Sequence, residues 1–181
     1  MPIIQPIPID AGPYELGRAL AIQATLFPTM SAREDYFGAY HLRTGNRYWL
    51  LYAPELKERV GVSGIYTIPS DPGSAWLGWF GILEPFRRKG FASEALRLFE
   101  QEARKRGFLT ARLYTHADNK AACAFYEKSG YAGEEYRRDD DPAGMEYGIR
   151  VYSKSLYGER CEPWGNRMLG LTEAYAKYIG Q

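Results

Sequence analysis

The chain has 181 residues, enough for one domain with its own core and short for two. With 23 Lys plus Arg against 22 Asp plus Glu, it carries no global field that would hold a nucleic acid or an anionic membrane, so any anion site must be local. Cys123 and Cys161 lie far apart, with only His41 and His116 to join them, which argues against a metal site and for a reduced, cytoplasmic compartment. The start, MPIIQPIPID, lacks a signal peptide's basic and apolar regions, and no apolar run of about 18 residues predicts a membrane span.

In chain order, an extended, proline-interrupted start (Pro2 to Ile9) leads into GPYELGRALAIQATLF, where Tyr14, Leu16, Leu20 and Leu26 punctuate a first helix. Ser31 to Tyr40 reads as a short second helix with a serine cap. YWLLYA (Tyr48 to Ala53) and VGVSGIYTI (Val60 to Ile68) are rich in β-branched and aromatic residues and read as strands. After the PSDPGS break, WLGWFGIL (Trp76 to Leu83) has strand length. Its interior glycines, Gly78 and Gly81, mark a bulge or a close approach by another group. From Phe91 the period becomes helical, with Phe91, Ala95, Leu98 and Glu102 on one line and Gly107 as the stop. TARLYTH (Thr110 to His116) alternates as a strand, and Asn119 caps a helix that ends at Gly130. YAGEEYRR and MEYGIRVYSKSL read as strands around the turn DDDPAG, and LTEAYAKYI is a helical candidate near the end. Strands mixed with helices in this order predict an α+β or α/β domain with a mixed sheet.

The segment LEPFRRKGFASEALRLFEQEARKRG places three cations, Arg87, Arg88 and Lys89, between a strand and the first turn of a helix. Such a turn leaves backbone N–H groups unpaired, and these donors with the helix dipole make an anion site. Gly90 has no Cβ to keep a phosphate from the backbone, and Ala92 is small. The loop is neither the GxxxxGK[ST] of a nucleoside-triphosphate site nor the GxGxxG of a dinucleotide site.

Arg87-Arg88-Lys89-Gly90-Phe91-Ala92 resembles the [QR]-x-x-G-x-[GA] signature of the GNAT superfamily of N-acetyltransferases. Asn119 to Tyr131, NKAACAFYEKSGY, resembles that family's second motif. The resemblance is sharp over Trp76 to Tyr131 and extends in layout over residues 1–156 as one N-acetyltransferase domain; residues 157–181 match nothing and form an extension of unknown role. It implies a central twisted mixed sheet of about six to seven strands flanked by about four helices. It implies acetyl-coenzyme A as cosubstrate and no metal. The pyrophosphate would sit on the backbone of Arg87, Arg88, Lys89, Gly90, Phe91 and Ala92, with Ser93, and the pantetheine arm along Phe80, Gly81 and Ile82. Asn119 would reach the same arm. Tyr126 stands where the family keeps the general acid that protonates the leaving thiolate.

The acceptor implied is a small-molecule or peptide amine, with no nucleic acid or membrane as partner and a homodimer left open. The base that deprotonates the amine is unassigned among Glu84, His116 and water, because Trp76 to Leu83 holds no carboxylate. Phe27, Met30, Tyr36 and Phe37 form either an apolar acceptor pocket or core. The acidic run Glu134, Glu135 and Asp139 to Asp141 either attracts a cationic acceptor or is a solvated turn. Two alternatives stay open: a coenzyme A binding or sensing module without catalysis, and acyl transfer to a group other than an amine.

Overall fold

Pro2, Pro6 and Pro8 deprive the start of the chain of the amide donors an inner strand needs, and this segment lies at a sheet edge as β1 (Gln5–Pro8), antiparallel to β2 (Arg47–Ala53). The computed structural model describes residues 1–138, 140–141, 148–158 and 160–169, and divides into two units, Met1–Gly107 and a second from Phe108 onward. Among the described residues, no helix is long and apolar enough to cross a membrane.

In the first unit β2 pairs with β3 (Glu58–Tyr66), and β3 pairs antiparallel with both β4 (Ser74–Leu77) and β5 (Gly81–Ile82). Helices α1 (Pro13–Leu26) and α2 (Arg33–Tyr40) cover one face, where Leu16, Ala19, Ile22, Tyr36 and Ala39 meet Tyr48, Leu50 and Val62. Helix α3 (Phe91–Lys105) covers the other, where Phe91 and Ala95 meet Ile4, Leu51, Ala53, Val60 and Ile82. Val60 and Val62 should share a face by strand alternation. They do not, because the pairing steps from Leu51↔Gly61 to Tyr52↔Arg59 and leaves Val60 as the extra residue of a bulge. The bulge lets one strand fill both cores.

The strand expected over Trp76 to Leu83 is broken in two. Trp79 adopts a left-handed backbone (φ 46°) between β4 and β5, while the Gly78 N–H bonds the Gly64 carbonyl at 3.0 Å. The close approach expected of the interior glycines is present as well: a Cβ on Gly81 would lie 2.9 Å from a Leu26 methyl, and one on Gly78 2.9 Å from the Tyr66 ring. Helix α2 starts two residues after Ser31, whose hydroxyl accepts from the Arg33 N–H at 3.3 Å; Ala32, with no capping side chain, stands at the cap.

In the second unit β6 (Thr110–His116) and β7 (Ala132–Glu135) both pair antiparallel with β8 (Ile149–Ser155). Helix α4 (Lys120–Lys128) is capped as expected, the Asn119 side-chain oxygen accepting from the Ala122 N–H at 3.1 Å, and Gly130 (φ 85°) follows its end. The segment 160–169 packs here: Trp164 is 1% exposed, with the Arg112 and Arg167 guanidinium groups 5.4 and 4.2 Å from its ring. Met145 to Tyr147 of the expected last strand, Asp139, and the helical candidate LTEAYAKYI lie outside the described residues.

Candidate active site

The loop before α3 is built by two left-handed residues. The Arg87 N–H closes a short 3-10 turn onto the Glu84 carbonyl (3.1 Å), Arg88 turns the chain at φ 59°, and Gly90 turns it again at φ 85° into the helix. A substituent on Gly90 would also approach Pro2 to 3.0 Å, so glycine suits this position twice over. Gly90 caps α3 and brings no capping side chain. The Glu94 N–H bonds the Gly90 carbonyl at 3.1 Å, so the N–H groups of Phe91, Ala92 and Ser93 precede the first intrahelical bond and have no acceptor within the helix. They face out at the positive end of a helix of 15 residues.

The cations help less directly than their number implies. Arg87 donates through Nε to the Ile82 carbonyl (3.0 Å), and Lys89 through Nζ to the Pro85 carbonyl (2.9 Å), so both brace the loop; Arg88 is exposed. Glu94, in the first turn, is buried and would oppose an anion. Two bonds from Arg97, at 2.7 and 2.6 Å, offset its charge and hold its carboxyl below the usual range against the desolvation of its burial. Phe91 is buried as the helix's anchor, edge-on to Phe86 with ring centres 6.3 Å apart. Phe80 is half-buried against the same core, and Gly81 and Ile82 form β5. Among the described residues β5 pairs with β3 alone.

In the second unit Asn119 is exposed, with its side-chain oxygen committed to the cap. Tyr126 is 7% exposed in a nest of rings, Phe125, Tyr152 and Tyr131 at 5.3, 5.7 and 6.1 Å. Burial, with a smaller push from Cys123, raises its phenol above the ordinary tyrosine value, so it stays protonated through neutral pH. His116 is exposed at the end of β6, and Glu84 is exposed in the 3-10 turn.

Of the four residues read as either acceptor pocket or core, Tyr36 is core, fully buried with its ring 5.0 Å from that of Tyr48. Phe27 is half-buried, Met30 and Phe37 exposed. Two neighbours carry a signal that a linear reading misses. The Trp79 indole N–H donates to Asp35 Oδ2 at 2.7 Å, and the Trp79 ring packs edge-on against Phe27 at 5.4 Å. The described acids of the run have partners within the second unit. Glu134 accepts from the N–H groups of Trp164 and Gly165, Glu135 pairs with Arg137, Asp140 with Arg138, and Asp141, 1% exposed, accepts from the Tyr136 hydroxyl at 2.7 Å.

The family profile described as the acetyltransferase (GNAT) family matches residues 17–131, which include both the loop before α3 and the Asn119 to Tyr131 segment. The chain belongs to this family. Two curated relatives from Bacillus subtilis (strain 168), both uncharacterized N-acetyltransferases, are similar to it. YdgE is 34% identical over 90 residues, 49% of this chain and 57% of the relative. YycN is 37% identical over 84 residues, 46% of this chain and 53% of the relative. The chain thus spans little more than half the length of these relatives. A GNAT acetyltransferase of Staphylococcus aureus Mu50 matches in fold with a TM-score of 0.65 at 16% identity, covering 85% of this chain and 99% of that one. The α+β class of GNAT proteins is the fold class of this chain, with four α-helices and strands in an open mixed sheet among the described residues.

Proposed function

We propose that the protein is an acetyl-coenzyme A-dependent N-acetyltransferase that transfers the acetyl group to a primary amine by direct attack. The observation that carries this reading is the uncapped N-terminus of α3 behind the left-handed Arg88 and Gly90, with the Phe91, Ala92 and Ser93 N–H groups as donors. These donors, with the loop amides before them, suit a pyrophosphate, and they need no capping side chain because the ligand takes that place. The pantetheine arm runs along β5, contacting Phe80, Gly81 and Ile82, and Asn119 contributes its amide.

The amine attacks the thioester carbon, a tetrahedral oxyanion forms near the Ile82 backbone, and the carbon–sulfur bond breaks. The sulfur leaves with the electron pair and takes a proton from Tyr126. An ordinary phenol at about 10 and a thiol at about 8.5 lie close enough for this transfer. Burial raises the phenol further, which keeps it protonated through neutral pH and makes it a weaker acid than a free tyrosine. Glu84, His116 and water share the candidacy for the base.

Gly90 gives a test that separates charge from shape. Asparagine and aspartate tolerate a left-handed backbone alike and have similar size. Calorimetry of acetyl-coenzyme A binding should show Gly90→Asp weaker than Gly90→Asn by about 1.4 kcal/mol, a factor of 10, because only the former sets a negative charge against the phosphates. Equal affinity in the two variants and the wild type would contradict the assignment of the loop.

A further inference from the structure

Gly90 is the loose joint of the loop before α3. Its neighbours are tied by their side chains, Arg87 to the Ile82 carbonyl and Lys89 to the Pro85 carbonyl, and glycine has none to tie. The Glu94 N–H holds the Gly90 carbonyl at 3.1 Å and so fixes it to the helix. Rotation about the Gly90 N–Cα bond leaves that contact intact and swings residues 87–89 against α3. Glycine meets no steric penalty at φ 85°, and for the same reason nothing in its own structure keeps it there.

The constraint comes from the start of the chain. A Cβ on Gly90 would lie 3.0 Å from Pro2 Cδ and 3.5 Å from Pro2 Cγ, so the Pro2 ring stands over the Gly90 α-carbon on the side where other residues carry a side chain. Pro2 is half-buried, and its ring fixes its own φ. Two residues on, Ile4 is 5% exposed in the core that Phe91 and Ala95 of α3 share. Residues 2–4 are thereby anchored to the first turns of α3 and bear on the loop that opens it. Ile3, between the two contacts, is 64% exposed.

We propose that Pro2 is a positioning residue of the coenzyme A site: its ring holds Gly90 left-handed, so that the loop amides and the N–H groups of Phe91, Ala92 and Ser93 converge on one pyrophosphate before the ligand arrives. This inference rests on the cofactor assignment of the acetyltransferase reading. Without the ring the loop samples other arrangements, and the ligand has to select the competent one, which lowers its affinity. The thioester end is held along Phe80 to Ile82, so turnover of the filled site does not depend on Pro2. A contact that served the fold alone would act on stability and leave the cofactor's affinity as it was.

The test measures acetyl-coenzyme A affinity by calorimetry in wild type, Pro2→Ala, Ile3→Ala, Gly90→Ala and the double variant of Pro2→Ala with Gly90→Ala. Beside it stand melting temperatures, and kcat and both KM values for the most rapidly acetylated member of a primary-amine panel. Pro2→Ala should weaken acetyl-coenzyme A about 5-fold, the scale of leaving one residue's backbone unfixed, with a matching rise in its KM. The kcat, the acceptor KM and the melting temperature should hold. Ile3→Ala, a change to the exposed neighbour, should bind as the wild type does. The loss from Gly90→Ala should be smaller in the Pro2→Ala background, because the added methyl no longer meets the ring. Wild-type affinity in Pro2→Ala, a melting temperature that falls in its place, equal losses in Pro2→Ala and Ile3→Ala, or losses that simply add in the double variant would overturn the inference and leave the acetyltransferase reading standing. A wild type that does not bind acetyl-coenzyme A would overturn that reading, and this inference with it.

Discussion

Two tyrosines show how the same side chain serves opposite ends. Tyr126, proposed above as the proton donor, is buried among rings, and burial keeps its hydroxyl protonated. Tyr126→Phe preserves the ring packing, so melting temperature and acetyl-coenzyme A affinity should hold while kcat falls on the order of 10²-fold, the usual cost of a lost general acid. Steady-state kinetics beside a melting curve would check this, and wild-type kcat would mean that another group or water supplies the proton. Tyr36 is the contrast: fully buried, its hydroxyl has no hydrogen-bond partner among the described residues. Removing that hydroxyl while keeping the ring should stabilise the fold, by about 1 kcal/mol for a buried polar group left unpaired. Urea unfolding of Tyr36→Phe measures it, and a loss of stability would reveal an acceptor for the hydroxyl.

At the scale of elements, residues 160–169, within the segment that resembled nothing in the sequence, are a structural part of the second unit. Trp164 is buried with the Arg112 and Arg167 guanidinium groups against its ring, while Glu134 binds the backbone at Trp164 and Gly165. Trp164→Ala should cost about 3–5 kcal/mol in urea unfolding, the range for deleting a buried aromatic, and Glu134→Gln should leave the acceptor KM unchanged because its charge is spent on the backbone. A raised acceptor KM in Glu134→Gln would restore the acidic run as an entrance for cations. What was legible beforehand follows from contiguity. The α3 loop and the Asn119 cap are each defined by neighbours in sequence; the cap bond appears where expected, and the left-handed backbone of Gly90 is a second reason for a glycine there. The bulge at Val60 was hidden because VGVSGI alternates equally well in either register, and the break at Trp79 because a strand-length apolar run does not announce a left-handed residue. Asp35 and Trp79 meet only through folding, as do Glu134 and the backbone at Trp164 and Gly165.

For the whole molecule, four buried phenols tie stability to alkaline pH. Burial raises Tyr36, Tyr126 and Tyr152 above the ordinary value and pushes Tyr136 up to about 12, where the bond to Asp141 adds to the effect. Below about pH 10 the phenols are protonated in folded and unfolded chains alike, and they make no difference. Above it the unfolded chain releases protons that the folded chain retains, so unfolding becomes more favourable as pH rises. Denaturant unfolding between pH 8 and 11 should therefore be flat to about pH 10 and then fall steeply; a flat profile to the end would contradict the burial of these groups. The account as a whole depends on a protein that binds acetyl-coenzyme A at α3 and passes its acetyl group to an amine. Its most direct test is a mass-spectrometric assay of the protein with acetyl-coenzyme A and a panel of primary amines, reading free coenzyme A thiol and product mass together. The account predicts one acetylated amine for each thiol released, with release dependent on the amine. Thiol release without an acetylated amine, or binding of acetyl-coenzyme A with neither product, would contradict it.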